Sequence, residues 1–275
     1  MNNRPCNYCI EEECGGDKRM HNCDCSTCSK VNTCPKVLRP TIRITTKCTQ
    51  SCNHCLYECS PKSSDMMSIK MAQKTSKFLK VNDIKLITIM GGEFFCNPEW
   101  KKIIPILCEN VNYCRLVTNG DWAEKDTEAA LAILRPLKDI LKVSISKDRW
   151  HTNKHVNKAL RACNEADIKC NVTSEEEDND ENIIPVGRGQ FHYGTFAFFS
   201  CYCHAPEHKY TFLIDEEGDI FKCGAGVWNY TSVDECLDGE FPSAFKKFNQ
   251  AFYGHFVSNC MRCSMGFRGK EWRDG

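Results

Sequence analysis

The sequence predicts an α/β protein built on a parallel sheet, and three observations carry that expectation. Strand-like and helix-like pieces alternate between Pro40 and about Gly189. The polar and glycine-rich motifs fall where the strands end, which is where an α/β sheet places its active site. The chain has 275 residues, long enough to bury a core of this kind.

The elements follow in order. TIRITT (41–46) is β-branched and alternating, and SIKMAQKTSKFLK (68–80) carries Ile69, Met71, Ala72, Phe78 and Leu79 on a polar background, as an amphipathic helix does. KLITIMGGE (85–93) is a near-continuous apolar strand ending in glycines. PEWKKIIPILCEN reads as a helix with Pro98 in its first turn. RLVTNG (115–120) is a short strand and turn, and EKDTEAALAILRPL (124–137) is one helix. KVSISK (142–147) is a strand, NKHVNKALRACNEAD (153–167) a helix and KCNVTS (169–174) a strand. An acidic loop follows at 175–181, then IIPVGRG (183–189). Alternation of this kind implies right-handed crossovers, with the sheet open or curled into part of a barrel. YTFLIDEEGDIFKC reads as a β-hairpin around an acidic Gly turn. There is no internal repeat.

Composition excludes several classes. Lys+Arg and Asp+Glu are 36 each, so the formal net charge is zero. A main partner that is a nucleic-acid backbone or an anionic membrane would require a basic excess. No apolar run approaches the ~20 residues of a membrane span, and MNNRPCNYCIEEEC is polar and acidic with no secretory signal. The expected location is therefore cytoplasmic.

The outlier is cysteine, at 22 residues. In a reducing compartment clustered thiols bind metal more often than they pair as disulfides. Seven lie within residues 1–38 (Cys6, Cys9, Cys14, Cys23, Cys25, Cys28 and Cys34), and Cys48, Cys52, Cys55 and Cys59 form a second group. A third runs from Cys201 to Cys263. Isolated cysteines such as Cys108, in IIPILCENV, are expected in the core.

CTQSCNHC places Cys48, Cys52 and Cys55 in a C-x3-C-x2-C loop after the first strand. Three thiolates on a [4Fe–4S] cluster leave one iron open, a catalytic arrangement. Gly91, Gly92 and Glu93 end the second strand, Thr118, Asn119 and Gly120 the third, and Ser144, Ser146 and Asp148 cluster at the end of the fourth. From about Arg39 to Gly189 these motifs together resemble the radical S-adenosylmethionine superfamily, with His54 where that family usually has an aromatic residue. A zinc knuckle beside an incidental glycine turn is the plainer alternative.

The resemblance implies a partial (β/α)6 TIM-like barrel and a cluster on Cys48, Cys52 and Cys55. It also implies S-adenosylmethionine as cofactor and an external one-electron donor of the flavodoxin or ferredoxin type. Gly91 and Gly92 would let backbone approach the methionine, and Glu93 would hold that loop or the amino group. Asn119, Ser144 and Ser146 are the remaining cofactor-binding candidates. The family often has Ser-x-Asp on this strand, whereas position 146 is serine here.

In the last third, Cys203, Gly218 and Cys223 fit the C-x(9–15)-G-x4-C pattern of SPASM and twitch auxiliary domains, and Cys260-x2-Cys263 closes the set. The shorter length resembles the twitch version. That match implies a second [4Fe–4S] cluster on Cys203, Cys223, Cys260 and Cys263, with Cys201 an alternative to Cys203, Cys236 a spare, and zinc the alternative metal. Arg188, in Gly187–Arg188–Gly189, resembles a GR motif whose arginine meets substrate or cofactor; a surface arginine is the alternative.

The chain thus divides into a Cys-rich extension (1–38), a radical S-adenosylmethionine partial barrel (39–190) and a small Cys-rich twitch-like domain (191–275). No family pattern fits the extension. Four of its thiols, with Cys6, Cys9, Cys25 and Cys28 as candidates, hold either a third cluster or zinc, with His21 a further zinc candidate.

His151 and His155 lie four residues apart. The pair invites a metal reading, but histidines at a helix start are the favoured one, since a lone pair lacks a third ligand; His151 follows the fourth strand, where a proton acceptor of near-neutral pKa is useful. The resemblance favours oxidation or cross-linking of a ribosomal peptide side chain. Two-electron oxidation of a small alcohol or sugar is the second reading, and a non-enzymatic iron–sulfur or zinc protein the third.

Overall fold

The structure is a computed structural model that describes residues 39–174, 211–221 and 229–237. Five strands, β1 (Arg39–Arg43), β2 (Leu86–Met90), β3 (Tyr113–Thr118), β4 (Leu141–Lys147) and β5 (Lys169–Ser174), lie side by side and parallel in chain order. Between them run α1 (Ile69–Val81), α2 (Trp100–Cys108), the pair α3 (Trp122–Lys125) and α4 (Thr127–Leu134), and α5 (Val156–Glu165). This is an α/β fold with a parallel sheet, and it fits an incomplete barrel. The stretch expected to supply the next unit, 183–189, lies outside the described residues.

Side-chain alternation builds the core. Ile42, Ile44, Ile87, Ile89, Cys114, Leu116, Leu141, Val143 and Ile145 are buried on one sheet face. They pack against Phe78, Leu79, Ile103, Ile104, Leu107 and Ala159 of the helices. The opposite face carries Thr41, Arg43, Thr88, Arg115 and Ser144. Cys108 is 3% exposed and belongs to the core, as its apolar setting predicts.

Local signals explain the boundaries. The Ser68 hydroxyl accepts the Met71 amide and caps α1. Both α1 and α5 end the same way. Ile84 N–H reaches back to Leu79 carbonyl and Ile168 N–H to Cys163 carbonyl, with Asp83 (φ 51) and Asp167 (φ 56) in the left-handed turn between helix and strand.

Three helix expectations need correction. Pro98 lies outside α2, because the Asn97 side-chain oxygen takes the Glu99 amide and Glu99 becomes the N-cap. The single helix expected over 124–137 is broken at Asp126 (φ −157), whose carboxylate caps α4 by accepting the Ala129 amide; a 3-10 turn, Arg135–Leu137, follows α4. The helix expected from 153 begins at Val156, so His151 and His155 do not share a helical face.

The hairpin forms as β6 (Thr211–Ile214) and β7 (Asp219–Phe221), antiparallel, with Gly218 at φ 89 in the turn. β8 (Asn229–Ser232) and α6 (Val233–Cys236) follow, with Ser232 and Glu235 forming a capping box. Sequence alone does not show that β6 pairs in parallel with β1. The sheet therefore runs β5-β4-β3-β2-β1-β6-β7-β8. Arg43 joins the hairpin turn to β1, its Nε 2.7 Å from Glu216. Lys74 of α1 meets Asp234 of α6 at 2.6 Å.

Candidate functional site

The cysteine loop leaves β1 and is held at both sides by backbone. Thr46 N–H bonds to Asp65 carbonyl, Cys48 N–H to Ser60 carbonyl, and Met67 N–H to Ile44 carbonyl, each at 3.0 Å. Asn97 supports the base of this loop from beneath, donating its amide to the Ile44 and Met67 carbonyls at 2.9 Å.

The glycine turn after β2 is fitted against the same loop. Gly92 N–H bonds to Thr45 carbonyl at 2.8 Å and Glu93 N–H to Lys47 carbonyl at 2.9 Å. A Cβ on Gly92 would sit 2.2 Å from Lys47 carbonyl oxygen and 2.8 Å from Cys48 Cβ; one on Gly91 would meet Thr45 oxygen at 2.7 Å. These glycines are required by the approach of one protein segment to another. Contact with a methionine moiety, the expected reason for them, is not needed to explain them.

Glu93 is fully buried. Its carboxylate accepts Thr118 Oγ1 at 2.8 and 2.9 Å and Asn119 N–H at 2.8 Å. Burial pushes the carboxyl up to about 8 against the pull of the Asn119 and Thr118 hydrogen bonds. Glu93 thus ties the end of β2 to the end of β3. The Asn119 side-chain amide then donates to Thr49 Oγ1 at 3.0 Å and lies 3.8 Å from Cys48 Sγ.

Residues inside the cysteine spacer complete the frame. Asp121 accepts Thr49 Oγ1 at 2.6 Å and Gln50 Nε2 at 3.0 Å. Gln50 Oε1 receives Thr152 N–H at 3.1 Å and the Cys52 thiol at 3.6 Å. Thr49, Gln50 and Asp121 escape a reading that counts only cysteine spacing. Their signal is position, inside C-x3-C and directly after Thr118–Asn119–Gly120.

Cys48 is buried and Cys52 and Cys55 are half-buried. Burial pushes the Cys48 thiol up to about 12. Such a thiol ionises beside a strong positive charge such as a bound metal ion. Three thiols on one short loop, one of them deeply buried, therefore fit an iron–sulfur cluster. Cys59, 2% exposed, hydrogen-bonds the Cys55 side chain, which raises the Cys59 thiol pKa well above its ordinary range.

After β4, Asp148 folds the next turn onto itself. One oxygen accepts the Trp150 and His151 amides at 2.8 and 3.0 Å, and the other lies 2.8 Å from His151 Nδ1. His54 Nε2 is 3.9 Å from that same oxygen, and its ring meets His151 edge-on at 5.1 Å. Burial lowers the His151 pKa, but hydrogen bonds to Asp148 and to Cys52 outweigh it and hold the imidazole up to about 10. That is above the near-neutral range expected of it as a proton acceptor. His155 turns elsewhere, its Nδ1 3.5 Å from Glu124.

Ser144 lies one turn of the pleat below, 1% exposed. Its hydroxyl accepts Arg115 Nε at 2.9 Å and reaches Asn171 at 3.1 Å. Ser146 is half-buried, nearer the strand end. Arg188, Cys203, Cys223, Cys260, Cys263, Cys6, Cys9, Cys25 and Cys28 lie outside the described residues. A cavity of about 400 Å³ borders Cys48, lined by Lys47, Thr49, Cys96, Asp121 and His155 among others.

Residues 42–174 match the model of the Radical SAM superfamily. A curated protein named for peptide biosynthesis, YydG of Bacillus subtilis (strain 168), is 23% identical over 154 residues, 52% of this chain and 48% of that protein. The match thus spans about half the length of this curated relative. BtrN in complex with AdoMet and 2-DOIA is 13% identical with a TM-score of 0.55, over 78% of this chain and 86% of that one. anSMEcpe with bound AdoMet and Cp18Cys peptide is 13% identical with a TM-score of 0.54, over 86% of both chains. At these identities the likeness to solved structures shows the fold. Among the described residues no helix is long and apolar enough to cross a membrane.

Proposed function

We propose, from the match of residues 42–174 to the Radical SAM superfamily, that this chain is a radical S-adenosylmethionine enzyme that modifies a peptide. The observation that carries the reading is the packing of the Gly91–Gly92–Glu93 turn against the Cys48–Cys55 loop, with Gly92 too close to Lys47 for any side chain. A knuckle holding structural metal does not require a second strand end locked to it through Glu93 and Asn119.

When bound, a [4Fe–4S] cluster and S-adenosylmethionine supply one-electron cleavage to a 5′-deoxyadenosyl radical that abstracts hydrogen from substrate. The residues of the chain do the rest. Cys48, Cys52 and Cys55 would be the three thiolates that hold the cluster. Glu93, Thr118 and Asn119 fix two strand ends against each other beside the cysteine loop. Thr49, Gln50 and Asp121 set the cysteine spacer, so the sulfurs are placed before metal arrives. Ser146, at the rim of β4, is the candidate for a polar contact to the cofactor; Ser144 is already used by Arg115 and Asn171.

Peptide is the preferred substrate class because the curated relative is named for peptide biosynthesis. In the same reading Cys203, Cys223, Cys260 and Cys263 hold a second cluster that accepts an electron after hydrogen abstraction, and Arg188 meets substrate. The Cys-rich head binds a third cluster or zinc, and an external flavodoxin- or ferredoxin-type donor supplies the first electron.

The test is anaerobic turnover of the reconstituted protein with a candidate peptide substrate, such as any short peptide that a gene flanking this one encodes. The expected product has lost two hydrogens per 5′-deoxyadenosine. A mass-neutral product carrying solvent deuterium would instead mean epimerisation and remove the electron-acceptor role. Iron near four per chain with stoichiometric zinc, against the expected eight or more (four per cubane cluster), would remove the second cluster.

A further inference from the structure

The sheet face opposite the helices carries a row of cations that the frame around the cysteine loop does not use. Arg115 of β3, Lys142 of β4 and Lys169 of β5 stand in direct register on adjacent parallel strands. They share that face because Cys114, Leu141 and Val143 are buried on the helix side, and the Cys170 sulfur turns to Asn164 of α5 at 3.3 Å. Neighbouring strands lie about 5 Å apart, and like charges directly opposite one another destabilise a sheet.

The charges on this row are unevenly answered. Asp167, at the exposed end beside Lys169, is ion-paired to Lys138 at 2.6 Å. Arg43, on the same face, is held by both oxygens of Glu216, at 2.7 and 3.1 Å. Arg115 and Lys142 have no carboxylate within ion-pair distance among the described residues. Arg115 is nonetheless half-buried and fixed in place. Its Nε donates to Ser144 Oγ at 2.9 Å, and that hydroxyl donates to Asn171 Oδ1 at 3.1 Å. The two terminal nitrogens of Arg115 and Nδ2 of Asn171 are left as donors. Ser144 pairs in register with Val117, so the guanidinium leans two residues along the sheet toward the strand ends that meet the cysteine loop.

We propose that Arg115 binds a carboxylate of the peptide substrate, an Asp or Glu side chain, and that Lys142 beside it makes the site selective for an acidic segment. This inference rests on the peptide-modifying reading above and adds the class of peptide. A guanidinium offers two parallel N–H donors that match the two oxygens of a carboxylate, and a fixed one loses little freedom when it does so. Asn171 Nδ2 adds a neutral donor on the same face. The anchor lies three residues before Thr118 on β3, about 10 Å down the strand from its end, so it meets substrate rather than the cysteine loop.

The experiment measures fluorescence anisotropy of two labelled peptide amides, Gly-Glu-Gly-Glu-Gly and its Gln counterpart, on the reconstituted full chain with and without S-adenosylmethionine. The parent should bind the Glu peptide about tenfold more tightly, the scale of a hydrogen bond to a charged group. Arg115→Gln and Lys142→Gln should each shrink that preference, and Arg115→Lys, which keeps the charge and loses the fork, should retain part of it. Lys80→Gln, exposed on α1 across the sheet, should leave it intact. Equal affinity for the two peptides in the parent, or the full preference in Arg115→Gln, overturns the proposal. If Arg115→Gln does not fold, the parent comparison and Lys142→Gln still decide. A Glu preference that S-adenosylmethionine abolishes by competition would place the methionine carboxylate at Arg115 and overturn the substrate assignment. A parent that forms no 5′-deoxyadenosine would remove the enzyme reading and this proposal with it, whereas loss of the Glu preference alone removes only this proposal.

Discussion

The Glu93 carboxylate accepts the Asn119 backbone amide at 2.8 Å in a site with no solvent exposure. The strand that ends in the glycine turn is thereby fastened to the strand that ends in Thr118–Asn119–Gly120. Asn119 in turn reaches Thr49 and Cys48 of the cysteine loop. One buried acid thus governs the spacing of three strand ends.

Glu93→Ala should destabilise the fold, because the Thr118 hydroxyl and Asn119 amide are left buried without their acceptor. A lost partner of this kind costs about 1–3 kcal/mol per group. Thermal unfolding of the metal-free protein should show the loss, and Glu93→Gln, which keeps one acceptor oxygen, should lose less. Equal stability of Glu93→Ala and the parent would contradict the assignment.

Gly92→Ala should act on metal loading more than on the sheet. Its Cβ would lie 2.2 Å from the Lys47 carbonyl oxygen, so the cysteine loop must move. Circular dichroism should retain the parent strand content while iron retained after anaerobic reconstitution and desalting falls by the cluster held on that loop. Full iron content in the variant would show that the close approach is not needed.

Much of this was legible beforehand, for physical reasons. Leu86–Met90 stands out as a near-continuous apolar run, and Leu141–Lys147 by the alternation of Leu141, Val143 and Ile145 with polar residues. The hairpin around Gly218 was readable because its turn needs a residue tolerant of positive φ. Other features depend on partners distant in sequence. The side-by-side pairing of β6 with β1 joins segments more than 160 residues apart, and no local pattern encodes it. Pro98 misled because proline suits a first helical turn in general, while the Asn97 side chain here moves the start to Trp100. His151 and His155 lie four residues apart in sequence but are not one turn of helix, because α5 begins only at Val156; they face Asp148 and Glu124 respectively.

Asp215 gives a pH signature at the hairpin. Burial raises its carboxyl to about 6, against the pull of the Asp219 amide and of Arg43, 3.7 Å away. A carboxyl whose folded pKa is raised stabilises the fold fully below its unfolded value of 3.8 and loses that contribution as pH rises through about 6. Asp215→Asn keeps the oxygen that accepts the Glu217 and Asp219 amides. The difference in unfolding midpoint, parent minus variant, should therefore fall between pH 4 and 6 and then level off. A difference that stays flat, or rises, across that window would show that burial does not control this group.

The central claim is that Cys48, Cys52 and Cys55 hold the cluster that cleaves S-adenosylmethionine. It is tested most directly by 5′-deoxyadenosine formation in the triple alanine variant after chemical reduction under anaerobic conditions. The account predicts that the parent forms 5′-deoxyadenosine, and that the variant forms none while keeping the iron bound elsewhere in the chain. Cleavage of S-adenosylmethionine by the reduced triple variant would contradict it.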